Sequence, residues 1–129
     1  MAKKSQTHLS RRERQIMDII YEKGRASAID VMNNLPDPPS YSAVRALLRV
    51  LETKGHLTHN KEGTRYLYAP TRPRHTAGRS ALKNVLQTFY GGSVEKAVAV
   101  LLDVADTKGS DEELNRLAEL IEQTRREGH

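Results

Sequence analysis

The stretch Ser40-Tyr-Ser-Ala-Val-Arg-Ala-Leu-Leu-Arg-Val-Leu-Glu-Thr-Lys-Gly55 decides the fold, because its spacing predicts one amphipathic helix. Apolar residues recur there at i, i+3, i+4 and i+7, along one side of a helix: Val44, Leu47, Leu48 and Leu51. The opposite side carries small residues and two long cations: Ser42, Ala43, Arg45, Ala46 and Arg49. Such a surface suits the major groove of DNA, where small residues permit close approach and arginine reaches guanine edges or phosphates. An ordinary amphipathic helix with a solvated polar side has the same pattern, so the neighbouring elements decide between the two interpretations.

Two further helices are predicted before this stretch. Ser10-Arg-Arg-Glu13 has the residues of a capping box and opens the first helix, which ends at Gly24. The apolar side of that helix is Ile16, Met17 and Ile20. Ser27, with Asp30 three residues later, caps a short second helix. Its predicted buried residues are Ile29, Met32 and Leu35.

The connections around the Ser40–Gly55 helix predict a winged helix-turn-helix. Pro36-Asp-Pro-Pro39 forms a rigid turn before it, because a residue that precedes proline avoids helical angles. Two helices joined by a tight turn, the second with a cationic exposed side, are typical of a helix-turn-helix. After Gly55 the pattern alternates, which predicts a strand at residues 56–60, a turn at Lys61-Glu-Gly63 and a return strand at residues 64–69. This hairpin is the predicted wing.

The remaining residues predict three more helices that need a partner surface. Thr76 caps the first, Gly91-Gly92 ends it, Ser93 caps the second, and Ser110-Asp-Glu-Glu113 is a capping box for the third. Three helices with one apolar stripe each make a thin core, and the second helix is apolar around much of its circumference. We therefore expect a homodimer formed through residues 76–124; the alternative is a monomer whose three helices pack only on the winged domain. The expected dimerisation residues are Leu82, Val85, Leu86, Phe89, Tyr90, Val98, Leu101, Leu102, Leu117 and Ile121.

These elements together predict a mainly α fold with a small β-hairpin wing. The expected domains are a winged-helix DNA-binding domain at residues 1–70, a linker at residues 71–75 and a three-helix dimerisation domain at residues 76–129. No apolar run approaches the length of a membrane span and no signal segment follows Met1, so we expect a cytoplasmic protein without membrane insertion.

Charge is distributed unevenly along the chain. Residues 1–75 contain 14 Lys and Arg against 7 Asp and Glu, whereas residues 76–129 contain 7 against 9, and together they give the net charge of +5. The basic N-terminal part is therefore the part expected to meet a polyanion. Its basic residues are spread over several elements and do not line one helix, which favours double-stranded DNA over a membrane surface.

The sequence predicts no enzyme, metal or cofactor. No cysteine is present, which removes disulfides and thiolate metal sites. His56 and His59 lie three residues apart on a predicted strand and so face opposite ways, which prevents them from sharing a metal without a bend. No Ser-His-Asp set, paired carboxylates or glycine-rich phosphate loop stands out.

The chain resembles the penicillinase-repressor family, the BlaI/MecI type of bacterial transcriptional repressor, over about residues 8–124. The segments that carry the resemblance are specific through their order and spacing: Leu9-Ser-Arg-Arg-Glu-Arg-Gln-Ile-Met17, Ser42-Ala-Val-Arg-Ala-Leu-Leu-Arg49, Leu51-Glu-Thr-Lys-Gly-His-Leu57, Tyr66-Leu-Tyr-Ala-Pro70 and Phe89-Tyr-Gly-Gly-Ser93. The resemblance implies a winged-helix domain, a helical dimerisation domain and a dimer on palindromic operators. It also implies repression that ends when a partner membrane metalloprotease system triggers cleavage of the repressor.

Two departures from the family pattern concern function. Family members often carry Thr where this chain has Ala43 and Ala46, so the hydroxyl contacts of Thr are absent, although Ala can touch a thymine methyl. The best-known members are cut at an Asn-Phe bond in the helix after the Gly-Gly turn. Aligned from Gly92, the possible cleavage region is Val100 and Leu101, and the Asn-Phe motif is missing there.

The leading hypothesis is a homodimeric, sequence-specific DNA-binding repressor. Arg45 and Arg49 are expected to reach base edges or flanking phosphates, and Lys61 and Arg65 to hold the backbone from the wing. The full set of expected DNA-binding residues is Arg11, Arg12, Ser40, Tyr41, Ser42, Ala43, Arg45, Ala46, Arg49, Lys61 and Arg65. The alternative is a protein-interaction module that keeps the winged fold without reading DNA sequence, and a ligand-binding regulator with no ligand named by the sequence is a further alternative.

Overall fold

The computed structural model describes residues 8–105 and 111–128 of the chain. In chain order, its elements are helices α1 (Arg11–Lys23), α2 (Ala28–Asn34) and α3 (Tyr41–Thr53), strands β1 (Leu57–Glu62) and β2 (Arg65–Pro70), and helices α4 (Arg74–Tyr90), α5 (Val94–Val104) and α6 (Asp111–Glu127). This mainly helical order with an antiparallel hairpin confirms the predicted fold class. The chain divides into two compact units between Arg79 and Ser80, so that α4 contributes to both.

Helix α1 begins and ends as the sequence predicts. The hydroxyl of Ser10 accepts a hydrogen bond from the backbone N–H of Glu13 at 3.1 Å, and the Glu13 carboxylate accepts one from the backbone N–H of Ser10 at 2.8 Å. At the other end Gly24 has a φ of 85°, a left-handed backbone that glycine adopts without steric cost. The predicted apolar side is buried: Ile16, Met17 and Ile20.

Helix α2 has the predicted cap, but its buried side differs from the prediction. Ser27 and Asp30 form a second capping box. Ile29, which was expected in the core, is 47% exposed, and Val31 is fully buried instead. Met32 lies at the margin of the core, and Leu35 is buried as predicted. A helix of 7 residues has about two turns, so the spacing of its apolar residues does not fix which side faces inward.

Helix α3 is the predicted organising helix. Ser40 is its N-cap, and the serine hydroxyl accepts a hydrogen bond from the backbone N–H of Ala43 at 3.2 Å. Three of the four predicted apolar residues, Val44, Leu48 and Leu51, are fully buried, and Leu47 is partly buried against the same core. The predicted exposed side therefore faces away from the core.

The hairpin turn lies further along the chain than predicted. The strands pair from Leu57 with Pro70 to Glu62 with Arg65, so the turn is Gly63-Thr64 and Lys61 belongs to β1. The prediction of a turn at residues 61–63 is therefore wrong. Gly63 has a φ of 67°, and a two-residue hairpin turn needs such a positive φ at its first central position.

A short bridge fixes the hairpin to the helices. Ala26, between α1 and α2, donates to the carbonyl of Tyr68 at 2.9 Å and accepts from the N–H of Tyr68 at 2.8 Å. Leu57 and Tyr68 also reach the core formed by the first three helices. The hairpin is thus part of the same packed unit as the helix-turn-helix, which is the arrangement of a winged helix.

The second unit begins within α4. This helix begins at Arg74, two residues before the predicted cap Thr76, and the carbonyl of Pro73 accepts a hydrogen bond from the N–H of Ala77 at 3.1 Å. Proline favours the start of a helix because its φ is already fixed at a helical value. Ser93 caps α5 as predicted, since its hydroxyl accepts from the N–H of Lys96 at 3.2 Å. The Ser110 of the predicted capping box lies outside the described residues.

Apolar side chains of the second unit are exposed. None of the described residues in α4, α5 and α6 is buried. The most exposed large apolar residues are Leu82, Phe89, Val94, Leu101, Val104, Leu120 and Ile121. Across residues 8–105 and 111–128, no helix is long and apolar enough to cross a membrane.

Candidate nucleic-acid interface

The exposed side of α3 presents the residues that the sequence predicts for DNA contact. The buried positions Val44, Leu48 and Leu51 fix the rotation of the helix. Because the rotation is fixed by the core, the remaining positions face solvent: Tyr41, Ser42, Arg45, Ala46 and Arg49 are exposed, and Ala43 is half-buried. Ala46, a small side chain, lies beside two exposed arginines one turn apart, which is compatible with close approach to base edges.

Arg45 lies beside an aromatic ring of its own helix. Its guanidinium carbon is 5.9 Å from the centre of the Tyr41 ring, one turn earlier. A cation at this distance over an aromatic face is attracted by the electrons of the ring. The contact restricts the long arginine side chain before any ligand binds, which reduces the entropy that binding must remove.

A cleft joins the start of α3 to the hairpin. Its volume is about 340 Å³, and it brings Tyr41 and Arg45 of α3 together with Arg65 and Tyr66 of β2. The start of α2, from Ser27 to Asp30, forms another wall of the cleft. Helix and hairpin therefore present cationic groups to one concave surface.

The two predicted wing cations occupy different places. Lys61 is exposed in β1, where it pairs with Tyr66, and Arg65 is exposed in β2 beside the turn, where it pairs with Glu62. Arg65 lines the cleft with Arg45. Glu62 also meets Arg25 at 3.4 Å, a contact between exposed side chains that contributes little stability.

A contact between Glu52 and His59 ties the end of α3 to β1. The Nδ1 of His59 lies 2.6 Å from a carboxylate oxygen of Glu52. The His59 ring also packs edge-on against Tyr66, with 5.0 Å between ring centres, and its centre is 5.6 Å from that of Tyr68. The contact with Glu52 links the hairpin to the last turn of α3, whereas the two ring contacts join the strands of the hairpin to each other.

The arginines at the start of α1 have different surroundings. Arg11 is exposed, whereas the guanidinium of Arg12 donates to the carbonyls of Pro36 at 2.8 Å and Asp37 at 2.7 Å. It also donates to the side-chain oxygen of Gln15 at 3.1 Å. The sequence predicts both arginines as phosphate contacts, but the structure directs Arg12 toward the turn that precedes α3.

A buried carboxylate lies behind the interface. Glu13 meets the ammonium group of Lys54, the C-cap of α3, at 3.0 Å. Burial by itself raises the pKa of Glu13, but the hydrogen bonds from Ser10 and the contact with Lys54 outweigh it and hold the pKa below its ordinary value. In Asp30 the hydrogen bond from the Ser27 backbone lowers the pKa in the same direction.

His56, directly after α3, has a buried ring nitrogen. Its Nε2 has no hydrogen-bond partner among the described residues, and the backbone carbonyl of His56 accepts from the N–H of Thr71 at 3.1 Å. Burial lowers the pKa of His56, and the nearby charge of Lys54 lowers it further. Neutral histidine is therefore favoured in the folded chain.

Tyr66 and the start of α2 are parts of the site that were not predicted from the sequence. Tyr66 is 40% exposed and lines the cleft beside Arg45. Alternation along β2 did not single it out, because Tyr66 shares its face of the strand with Tyr68, which is buried in the core. The part played by Ser27–Asp30 depends on tertiary packing and has no local signal.

Comparisons with known sequences identify a family for this chain. The sequence profile of the penicillinase repressor family matches residues 9–123. The penicillinase repressor of Bacillus licheniformis is 26% identical over 117 residues, which cover 89% of this chain and 90% of that protein. An uncharacterized 16.5 kDa protein of Latilactobacillus sakei is 26% identical over 101 residues, which cover 77% of this chain and 69% of that protein.

A solved structure shows the same fold at lower identity. The hsRosR-S4 complex aligns with a TM-score of 0.64 and 17% identity, covering 87% of this chain and 100% of that one. The family match itself covers all the described elements from α1 to most of α6. The chain therefore belongs to the penicillinase repressor family and is a DNA-binding transcriptional repressor, not an enzyme.

Proposed function

We propose that this repressor binds palindromic operators as a homodimer, with α3 in the major groove and the hairpin on the flanking phosphate backbone. The observation that carries the proposal is the cleft that gathers Tyr41 and Arg45 of α3 with Arg65 and Tyr66 of the hairpin. Base edges and backbone phosphates lie side by side on a duplex, so a helix and a hairpin that flank one cleft can contact both.

Each element has a separate role in this proposal. Arg45 and Arg49 contact base edges or the phosphates beside them, and Ala43 and Ala46 leave room for the helix to approach thymine methyl groups. The start of α3 binds a phosphate, because first-turn N–H groups and the helix dipole favour an anion there; the residues are Ser40, Tyr41 and Ser42. Lys61 and Arg65 hold the backbone from the hairpin, and Arg11 holds it from the start of α1.

The exposed apolar surface of the second unit supports a homodimer. Phe89 is 73% exposed and Val104 is 74% exposed, and no described residue of α4, α5 or α6 is buried. Exposed apolar surface on this scale indicates an interface. In a dimer, residues of both copies would form the missing core: Leu82, Val85, Leu86, Phe89, Tyr90, Val98, Leu101, Leu102, Leu117 and Ile121.

Relief of repression by proteolysis is the part of the proposal that rests on family membership. The aligned bond joins Val100 and Leu101, which are both exposed near the end of α5. A protease active site takes an extended peptide, so cleavage there requires the last turns of α5 to unwind first. The proposed partner is a membrane metalloprotease sensor, and separation of the dimerisation unit would weaken binding to a two-site operator.

The experiment that tests the proposed function is selection of bound fragments from a random duplex pool at near-physiological salt. Enrichment of a palindrome is the expected result, and the spacing of its half-sites reports the distance between the two copies of α3. Binding that enriches no sequence and disappears as salt rises would overturn the proposal in favour of an interaction module that touches DNA only through charge.

A further inference from the structure

We propose that Arg12 is a positioning residue for DNA reading, which holds the turn before α3 and thereby sets where the start of α3 lies. This inference rests on the proposed function, because it concerns how the same DNA surface is built. The turn consists of residues 36–39 and is called the entry turn below. Arg12 belongs to α1, and its contacts with the entry turn join parts of the chain 24 and 25 residues apart.

The contacts have the geometry of a fork. Nη1 of Arg12 donates to the carbonyl oxygen of Pro36 at 2.8 Å, and Nη2 donates to the carbonyl oxygen of Asp37 at 2.7 Å. Nη1 also donates to the side-chain oxygen of Gln15 at 3.1 Å, one turn along α1. A planar guanidinium can bridge two neighbouring acceptors in this way, and a lysine ammonium lacks that planar fork.

The entry turn has almost no hydrogen-bond donors of its own. Its sequence is Pro36-Asp-Pro-Pro39, and proline has no backbone N–H, so Asp37 supplies the one backbone N–H of the segment. Asp37 also has a φ of 44°, a left-handed backbone that is uncommon for a residue with a side chain. In a β-turn the first carbonyl accepts from the N–H three residues later; for Pro36 that residue is Pro39, which has no N–H, and Arg12 donates to the Pro36 carbonyl instead.

The turn of α1 that carries Arg12 is itself connected to α3. The next residue, Glu13, is buried and contacts Lys54, the C-cap of α3, through both carboxylate oxygens at 3.0 Å. Two consecutive residues of α1 therefore reach the two ends of α3: Arg12 reaches the turn before it, and Glu13 reaches its cap. A shift of the entry turn would move Ser40, where the helix begins, relative to the hairpin.

Substitution of Arg12 by lysine distinguishes this positioning role from that of a phosphate contact. A phosphate contact needs mainly a positive charge, so Arg12→Lys would keep most of it. A fork on two carbonyls needs the guanidinium, so Arg12→Lys and Arg12→Ala should behave alike. Arg14→Ala is the matched control, because it removes the same charge from an exposed position of the same helix.

The first arm of the test uses the full chain without DNA. Deuterium uptake is measured in a peptide that covers residues 37–44, which includes the first amides of α3. We expect Arg12→Ala and Arg12→Lys to speed exchange in this peptide by about threefold or more, because local opening then no longer has to break the two hydrogen bonds of the fork. We expect Arg14→Ala to leave the exchange rate unchanged. Equal uptake in all variants would overturn the positioning role whatever the DNA result.

The second arm measures affinity for the selected operator and for unrelated duplex over a range of salt concentrations. We expect Arg12→Ala and Arg12→Lys to weaken operator binding about tenfold, the effect of losing one good contact, with the salt slope and non-specific affinity unchanged. Rescue by Arg12→Lys, together with a salt slope lower by about 0.9 in Arg12→Ala, would make Arg12 a phosphate contact and overturn the proposal. Failure of the wild-type chain to select any sequence would overturn the proposed function instead, while the exchange arm still decides the role of Arg12.

Discussion

Lys54 lies with its ammonium nitrogen 3.0 Å from both carboxylate oxygens of Glu13, and so joins the end of α3 to the first turn of α1. The same carboxylate accepts the backbone N–H of Ser10. One buried carboxylate therefore accepts the backbone N–H of the N-cap of α1 and pairs with the side chain of the C-cap of α3. Its loss should affect the whole winged unit.

Glu13→Gln should lower the free energy of unfolding by about 1–3 kcal/mol at neutral pH, because it leaves a partly buried ammonium without its counter-charge. The pKa of Glu13 is lowered in the folded chain, so its contribution is present above the ordinary value of 4.5 and is lost as pH falls through the folded value. Denaturant unfolding at several pH values measures both effects. Wild-type stability in the variant at pH 7 would contradict this account, and Lys54→Met is the matched variant of the partner.

His56 predicts a second, separate pH dependence. Because burial lowers its pKa in the folded chain, the unfolded chain binds more protons below the ordinary value of 6.5. The contribution of His56 to stability is therefore fully present above pH 6.5 and is lost as pH falls toward the pKa of His56 in the folded chain. Thermal unfolding between pH 8 and about pH 5.5 should show this decrease. His56→Gln should flatten the slope in that range, and an unchanged slope would show that another group is responsible.

Replacement of Arg45 should reveal whether it reads a base. Arg45→Ala should cost about 1–3 kcal/mol in operator binding and should relax the preference at one base pair of each half-site. Arg45→Lys is the control, because it keeps the charge but loses the planar guanidinium fork. Competition against a panel of single-base operator variants measures the preference. An equal loss on all sequences would assign Arg45 to a phosphate.

The hairpin cations should act without sequence preference. Lys61→Ala and Arg65→Ala should each weaken binding to every duplex and reduce the slope of log affinity against log salt by about 1 per lost contact. The order of preferred sequences should not change. Salt titrations of operator and unrelated DNA test this, and a changed base preference in either variant would place that side chain in a groove.

The exposed apolar surface of the second unit predicts a concentration-dependent assembly. Phe89→Asp places a charge where an apolar ring is 73% exposed, and burial of an unpaired charge in an interface is strongly unfavourable. Sedimentation equilibrium should report a dimer for the wild-type chain and a monomer for this variant. The helical circular dichroism contributed by the winged unit should remain in the variant. A wild-type chain that is monomeric would remove the basis of the dimer proposal.

Local signals in the sequence were sufficient for some elements and insufficient for others. The capping boxes at Ser10 and Ser27 could be predicted, because they depend on residues three apart. The buried side of α3 could also be predicted, because thirteen helical residues repeat the apolar pattern often enough to fix its phase. The domain boundary at residues 71–75 and the proposed contact residues remain predictions.

Prediction failed where an element is too short for its pattern to be decisive, or where tertiary contacts determine the structure. The prediction that Ile29 is buried failed because a two-turn helix carries too few repeats to show which side faces inward. The turn was predicted too early because a glycine fits several turn positions, and the pairing of Glu62 with Arg65, which fixes the turn at Gly63-Thr64, has no local signal. The contact of Arg12 with the entry turn spans 24 residues, so no local pattern contains it.

The cleft between α3 and the hairpin also has an optical consequence. It is lined by Tyr41, Tyr66 and Tyr68, three of the five tyrosines of the chain, and the chain has no tryptophan. Tyrosine emission is therefore not masked by indole, and three of the five emitting side chains lie beside the proposed contact surface. Unlabelled repressor should thus report occupation of its own DNA site through a change in intrinsic fluorescence, with no dye attached to either molecule.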